Sequence, residues 1–385
     1  MRGDYEEIRN ICQQSSGKLS YQSFKPSDLP PSPAIVTDAN LNESLKSAYL
    51  LFGKLDGILA LIPNQALFLS MYVRKEALLS SQIEGTQASF DDLFDSRIKA
   101  NVNRDVEDVI QYLKALEHAN SLIAQLPISV RFMREMHTVL LTSSRGQDKQ
   151  PGELRKTQNW IGAVGSSLQS ARYVPPNVSD MHLALASLEC YIHEEEGTDP
   201  LIKIALIHYQ FESIHPFLDG NGRVGRLLTT LLLKQYNLLS HNILYLSYFL
   251  KKNRSEYYDR LTWVGTKGDY EGWIRFFVEG VIQTAAHALQ TIDSLLKLRA
   301  KNLVLIDKIS AKPRKTALLF LTYLEAHPII DIKTASDNIG KAFNTVSNAV
   351  LTFVELGILK KIEGDKRYRI YAYEDYLSLF RDGTE

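Results

Sequence analysis

The sequence predicts a mainly α-helical protein: a helical bundle interrupted by a short hairpin or loop, followed by a C-terminal winged helix-turn-helix domain. Three observations carry this. Apolar residues recur at helical spacing from about residue 65 to about residue 305. Residues 159–176 break that spacing with WIGAVGSS and RYVPP, glycines and serines set between short apolar groups. After the basic, proline-containing SAKPRK, three shorter helical patterns lead into two strand-like runs that flank the turn Glu363-Gly364-Asp365.

Residues 1–34 are polar and end in the proline cluster LPPSPA, so they read as a tail or extended arm. Residues 35–110 read as an N-terminal helical region. Pro63 suits a first helical position. Behind it Phe68, Tyr72, Leu79 and Ile83 recur at helical spacing, with Leu67, Met71 and Leu78 beside them, and Gly85 is a natural stop. The core, residues 111–305, continues helices predicted over about 106–125 and 129–141. After the hairpin or loop, helical pattern resumes at Asp180. Asp199 and Pro200 supply an N-cap and first turn for a helix reaching about Ser213. Another runs from about Gly222 to Tyr236 on the stripe Val224, Leu227, Leu228, Leu231 and Leu232. Residues 306–385 form the last domain, with helices near 316–325, 332–339 and 342–356.

Composition bounds the function. Lys plus Arg number 44, and Asp plus Glu number 44, so no net field draws the molecule to nucleic acid or to an anionic membrane. The start, MRGDYEEIRN, lacks the apolar core of a secretory signal. The most apolar stretch, residues 50–62, is interrupted by Lys54 and Asp56, so no membrane association is expected. Two cysteines, Cys12 and Cys190, make no disulfide framework, and a cytoplasmic setting is expected.

Chemistry concentrates in His215-Pro-Phe-Leu-Asp219-Gly-Asn221-Gly-Arg223-Val-Gly-Arg226. The string contains G-x-G-x-x-G at Gly220, Gly222 and Gly225, yet a predicted helix precedes it where a dinucleotide fold needs a strand. A glycine-rich turn opening a helix still offers N–H groups at the positive helix end, which suit phosphate. His215 can act as a general base, Asp219 can bind Mg²⁺, and the two arginines can clamp phosphate. His118, His137, His182 and His208 lie in helical patterns with no second histidine at i+4. His193 with residues 194–196 lacks metal-site spacing and reads as a solvated helix end.

This string resembles the signature of the Fic family, HxFx(D/E)GNGRxxR, at every specified position. The resemblance implies a Fic-type fold and an enzyme that transfers AMP from ATP to a protein hydroxyl, on Ser, Thr or Tyr, of another protein or of the chain itself. It implies that His215 is the base and that Asp219 binds Mg²⁺, with Mn²⁺ as an alternative ion. Gly220, Asn221, Gly222, Arg223, Gly225 and Arg226 would hold the ATP phosphates, and Phe217 would aim the loop from the core. A second segment, Ser80-Ser81-Gln82-Ile83-Glu84-Gly85, resembles the family's inhibitory motif (S/T)xxxE(G/N). There the resemblance implies that Glu84 pairs with Arg226 and takes it out of use. Residues 159–176 fall where the family has a flap that docks an unidentified target protein by strand addition. Tyr257 and Tyr258 match tyrosines lining the adenine pocket. A homodimer is expected. Two rival readings stand beside this one. The first is a hydrolase that removes AMP, with Glu84 positioning a water. The second is a DNA-binding regulator using Lys341, Asn344, Thr345, Ser347 and Asn348, disfavoured by the balanced charge of the last domain.

Overall fold

The computed structural model describes residues 3–10, 19–62, 64–94, 104–142, 147–163, 165–194, 197–363 and 369–384. In chain order the elements are β1 (Asp4–Asn10), β2 (Leu19–Lys25), α1 (Ala39–Leu59), α2 (Gln65–Ile83), α3 (Arg104–Leu122), α4 (Val130–Leu140), α5 (Val178–His193), α6 (Pro200–Ile214), α7 (Asn221–Gln235), α8 (Ser247–Lys252), α9 (Arg254–Lys267) and α10 (Tyr270–Asp307). Then follow α11 (Ala311–Ala326), β3 (Ile329–Asp331), α12 (Ile332–Ile339), α13 (Phe343–Glu355), β4 (Lys360–Glu363), β5 (Ile370–Ala372) and α14 (Glu374–Arg381). The mainly helical fold class expected from the sequence is what the structure has. Among the described residues no helix is long and apolar enough to cross a membrane.

The chain divides into two compact units. One holds residues 1–52 with 110–284, the other residues 53–109 with 285–385. This grouping differs from the one read along the sequence. Residues 53–109 cluster with the C-terminal part, and α10 runs unbroken through the expected division at 305. Contacts distant in sequence set such groupings, and periodicity does not report them.

In the first unit α6 is the central helix. Every side chain from Leu201 to Phe211 is buried, as an apolar helix surrounded on all sides must be. Asp199 caps its start, accepting from the Leu201 and Ile202 N–H groups, and Pro200 occupies the first turn as predicted. Helix α6 packs against α5 and α7, and α4 packs against α5 and α7. Trp273 is fully buried and donates its indole N–H to the Ala205 carbonyl at 2.8 Å. Residues 1–34, expected to be a tail, contain the antiparallel pair β1–β2, with Tyr5 opposite Phe24. The Phe24 N–H donates to the Val174 carbonyl at 2.9 Å. That bond joins residues far apart in sequence, so local composition concealed it.

In the second unit α2 packs against α11 and α14. Pro63, expected at its start, lies outside the described residues; Asn64 is the observed cap, its side chain accepting from the Leu67 N–H. Helix α11 begins five residues before the predicted 316 and takes in the supposed boundary SAKPRK. Pro313 falls in its first turn, where a missing N–H costs nothing. Antiparallel strands in the order β3-β5-β4 make a small sheet, with Ile330 opposite Tyr371. Strand β3 was not predicted. Helix α13 turns Val346, Val350 and Phe353 inward, where the rings of Phe320 and Phe353 meet edge-on at 5.0 Å. The turn predicted at Gly364-Asp365 lies outside the described residues.

Candidate functional site

The His215–Arg226 string bridges the end of α6 and the start of α7. His215 caps α6 in the left-handed conformation, φ 48° and ψ 61°, with its N–H bonded to the Phe211 carbonyl. A residue with a Cβ adopts this only at a cost of ~1–3 kcal/mol, so surrounding contacts must impose it. Gly220, φ +77°, is the N-cap of α7. Between them the Asn221 amide spans the turn, accepting from the Phe217 N–H at 2.8 Å and donating to the Phe217 carbonyl at 2.9 Å.

Buried side chains grip this turn from beneath. The His137 ring lies flat against Phe217, with centroids 3.8 Å apart and planes 9° apart. The Gly152 N–H donates to His137 Nδ1 at 2.9 Å. Nδ1 is therefore the acceptor, and Nε2 carries the proton that it donates to the Asp219 carbonyl at 3.0 Å. Burial pushes the His137 pKa down to about 4, so the ring is neutral in this network. Asn159 Nδ2 donates to the Phe217 carbonyl at 3.0 Å and to the His215 carbonyl at 3.3 Å. Arg155, wholly buried, donates from Nε to the same His215 carbonyl at 3.0 Å. None of His137, Arg155 or Asn159 was singled out from the sequence. For His137 the search for an i+4 partner asked a metal question, whereas the ring's task is to stack and to bridge backbone.

Beyond the turn, α7 opens with Asn221, Gly222 and Arg223, whose N–H groups precede the first intrahelical bond, Val224 N–H to the Gly220 carbonyl. Arg223 is buried and reaches Asp219 across 3.6 Å. Its Nε is buried with no hydrogen-bond partner among the described residues. Arg226 is also buried, one turn on. Gly225 sits where α7 crosses α6: a Cβ there would run into the Glu212 carboxylate and approach the Phe211 ring. Below Arg226, His208 is buried between the Thr229 hydroxyl at 3.0 Å and the Tyr257 hydroxyl at 3.0 Å. Burial, and then the Arg226 charge, push its pKa down to about 3.

The flap, residues 159–176, is pinned by an antiparallel bridge between Ile161 and Tyr173, with bonds of 2.8 and 3.0 Å. Val164 lies outside the described residues. Ile161, Gly162 and Ala163 form one wall of a cleft of about 620 Å³, and Glu212, Ser213, Arg254 and Tyr258 line it further. The structure separates the two tyrosines named for the adenine pocket. Tyr258 lines the cleft, with the Arg172 and Arg254 guanidinium carbons 5.9 and 5.8 Å from its ring centre. Tyr257 is 1% exposed and its hydroxyl is committed to His208.

Ser80, Glu84 and Gly85 belong to the second unit. Ser80 is fully buried within α2, while Glu84 is exposed and caps the helix just past its last residue. The Glu84 N–H bonds to the Ser81 carbonyl and the Gly85 N–H to that of Gln82. Gly85, φ +102°, then turns the chain away. The Gln82 side chain fixes this end by donating to the carbonyls of Ala88 and Thr384 at 2.9 and 3.0 Å.

Comparison with known proteins agrees with this geometry. The family model described as "Fic/DOC family N-terminal" matches residues 42–121, and the model "Fic/DOC family" matches residues 127–233. A protein of Drosophila grimshawi named "Protein adenylyltransferase Fic" is 31% identical over 168 residues, 43% of this chain and 31% of the relative. Its Drosophila ananassae namesake is 30% identical over the same length, again 43% of this chain and 30% of the relative. The match thus spans about a third of those relatives' length. The crystal structure of a Fic family protein from Desulfovibrio desulfuricans G20 superposes with a TM-score of 0.58 at 18% identity, covering 89% of this chain and 97% of that one. At that identity the likeness is one of fold.

Proposed function

We propose that this chain, which belongs to the Fic/DOC family, is an enzyme that transfers AMP from ATP to a hydroxyl side chain of a protein, with His215 as the base. One observation carries the reading: the buried, unpartnered Nε of Arg223 in the first turn of α7. A buried guanidinium at the positive end of a helix is built for an anion. Arg223 and Arg226 then hold the β- and γ-phosphates. The acceptor oxygen attacks the α-phosphorus, its proton passes to His215, and the bond to pyrophosphate breaks. Asn221 and Gly222 face the charge that develops there. Catalysis is positioning plus electrostatic stabilisation.

The donor set fits a substrate-shared cation. The Asp219 side chain is 47% exposed, and among the described residues no cluster of three His, Cys, Asp or Glu forms a cage. One carboxylate with phosphate oxygens is how Mg²⁺ is commonly held. Asp219 would hold Mg²⁺, or Mn²⁺, which neutralises charge on the phosphates when bound. The base of the nucleotide is assigned to the cleft walled by Tyr258, and the target backbone to the flap edge near Ile161. Glu84 is the residue that restrains the reaction.

The test uses the full-length Glu84→Gly protein and ATP labelled at either the α- or the γ-phosphorus. Label from the α-position alone should enter protein, recovered by mass spectrometry as AMP on Ser, Thr or Tyr. Incorporation of the γ-label, or of neither, overturns the reading.

A further inference from the structure

We propose that Arg155 is a positioning residue that locks the base of the flap and the His215 turn into one rigid unit, and so holds His215 in its left-handed conformation. The proposal deepens the AMP-transfer reading and rests on it for the role of His215.

The hydrogen bonds of Arg155 join segments that are separate in sequence. Nε donates to the His215 carbonyl at 3.0 Å, Nη1 to the Thr157 carbonyl at 3.3 Å and Nη2 to the Pro176 carbonyl at 2.5 Å. The Arg155 N–H donates to the Pro216 carbonyl at 2.9 Å. Thr157 lies just before the flap and Pro176 ends it, and His215 and Pro216 open the turn. One planar fork therefore reads three carbonyls at once. The side chain is 0% exposed. Burial lowers its pKa only to about 10, so it keeps its charge at neutral pH.

The conformation of His215 makes this grip matter. A left-handed residue bearing a Cβ persists where its surroundings over-determine it. The His215 carbonyl is held from one side by Arg155 Nε and by Asn159 Nδ2 at 3.3 Å. Tyr173, at the exit of the flap, adds a bond from its hydroxyl to the Ser213 carbonyl at 2.7 Å. A target strand settled on the flap is thereby held in register with the imidazole. Lysine cannot substitute, because a single ammonium on a flexible stem lacks the fixed fork that matches these acceptors.

The experiment compares the parent protein with Arg155→Lys, both full-length and both carrying Glu84→Gly. Three readouts are taken: amide hydrogen exchange, ATP affinity and the rate of AMP transfer. In Arg155→Lys, exchange at Ile161 and Tyr173 in the flap and at Phe217 in the turn should accelerate together, while amides inside α5 stay unchanged. ATP affinity should be retained, since Arg223, Arg226 and the α7 N-terminus are untouched. kcat should fall on the order of 10²-fold, as for an ~1 Å misplacement. Should Arg155→Lys fail to fold, Asn159→Ala removes one donor to the His215 carbonyl and should give a smaller joint acceleration. Exchange that changes in the flap without Phe217, or in neither, overturns the proposal whatever the rate does. A parent protein that transfers no AMP refutes the functional reading instead, and exchange still decides the role of Arg155.

Discussion

The two motifs that carry the proposed chemistry are helix ends, and they are built in opposite ways. The His215 turn is gripped from below by buried His137, Arg155 and Asn221 and by half-buried Asn159, each of which bonds its backbone. The Glu84 end closes on itself through the Gly85 turn and the side chains of Gln82 and Gln87, the second donating to the Gly85 carbonyl at 3.0 Å, and Glu84 itself is exposed. A turn that must aim a base and a phosphate cradle is over-determined. The other helix end, with Ser80 and Ser81 buried behind it, sets its proposed inhibitory residue at the surface. Substitutions should therefore act on chemistry at both motifs but on folding mainly at the first.

The largest expected effect lies in the turn. His215→Ala should lower AMP transfer by ~10²–10⁴-fold, the usual loss for a general base. ATP binding measured by calorimetry should survive, because other residues hold the phosphates. Near-normal transfer would remove His215 from the mechanism.

Beneath the turn the comparison sharpens into stability. His137→Ala removes a stacked ring and two hydrogen bonds and should cost about 2–4 kcal/mol, read by denaturant titration. The same ring gives a pH dependence. Its folded pKa is lowered to about 4 and that of His208 to about 3, against ~6.5 in the unfolded chain. Between these values the unfolded state takes up protons that the folded state refuses. Stability is therefore fully present above pH ~6.5 and falls as the pH drops toward 4. His137→Gln should shallow that slope in melting temperature. An unchanged slope would mean that the ring is not held neutral. At the other helix end, Glu84→Gly should move stability by no more than about 1 kcal/mol.

The smallest effect is expected in the C-terminal part. Lys341, Asn344, Thr345 and Asn348 are exposed around the start of α13, yet the charge balance of the domain argues against a DNA surface. Fluorescence anisotropy should show weak, salt-sensitive binding to duplex DNA with no sequence preference. Nanomolar, sequence-specific binding at physiological salt would favour a regulator.

Sequence made the motif, the helix ends and the fold class legible because each rests on local rules: Asp199-Pro200 as a cap, Gly85 as a stop, a glycine-rich turn before α7, and an apolar stripe on α7. What it concealed is non-local. Arg155 sits in a polar loop and reads as a surface residue until the fold brings three carbonyls to it. Tyr257 and Tyr258 are adjacent in sequence, but Tyr258 faces the cleft and Tyr257 bonds His208. Residues 1–34 read as a tail because the acceptor for the Phe24 N–H, the Val174 carbonyl, lies some 150 residues away.

The central claim, that the exposed carboxylate restrains the gripped turn, is tested most directly by AMP incorporation. Wild type, Glu84→Gly, and Glu84→Gly combined with His215→Ala or Arg226→Ala are compared at equal, verified folding. The account predicts that Glu84→Gly exceeds wild type on the order of 10²-fold, the scale of relieving an ~1 Å misplacement of the phosphates. Adding His215→Ala or Arg226→Ala should bring incorporation down again. A Glu84→Gly protein no more active than wild type would contradict it, and Glu84 would be an ordinary surface residue at the end of α2.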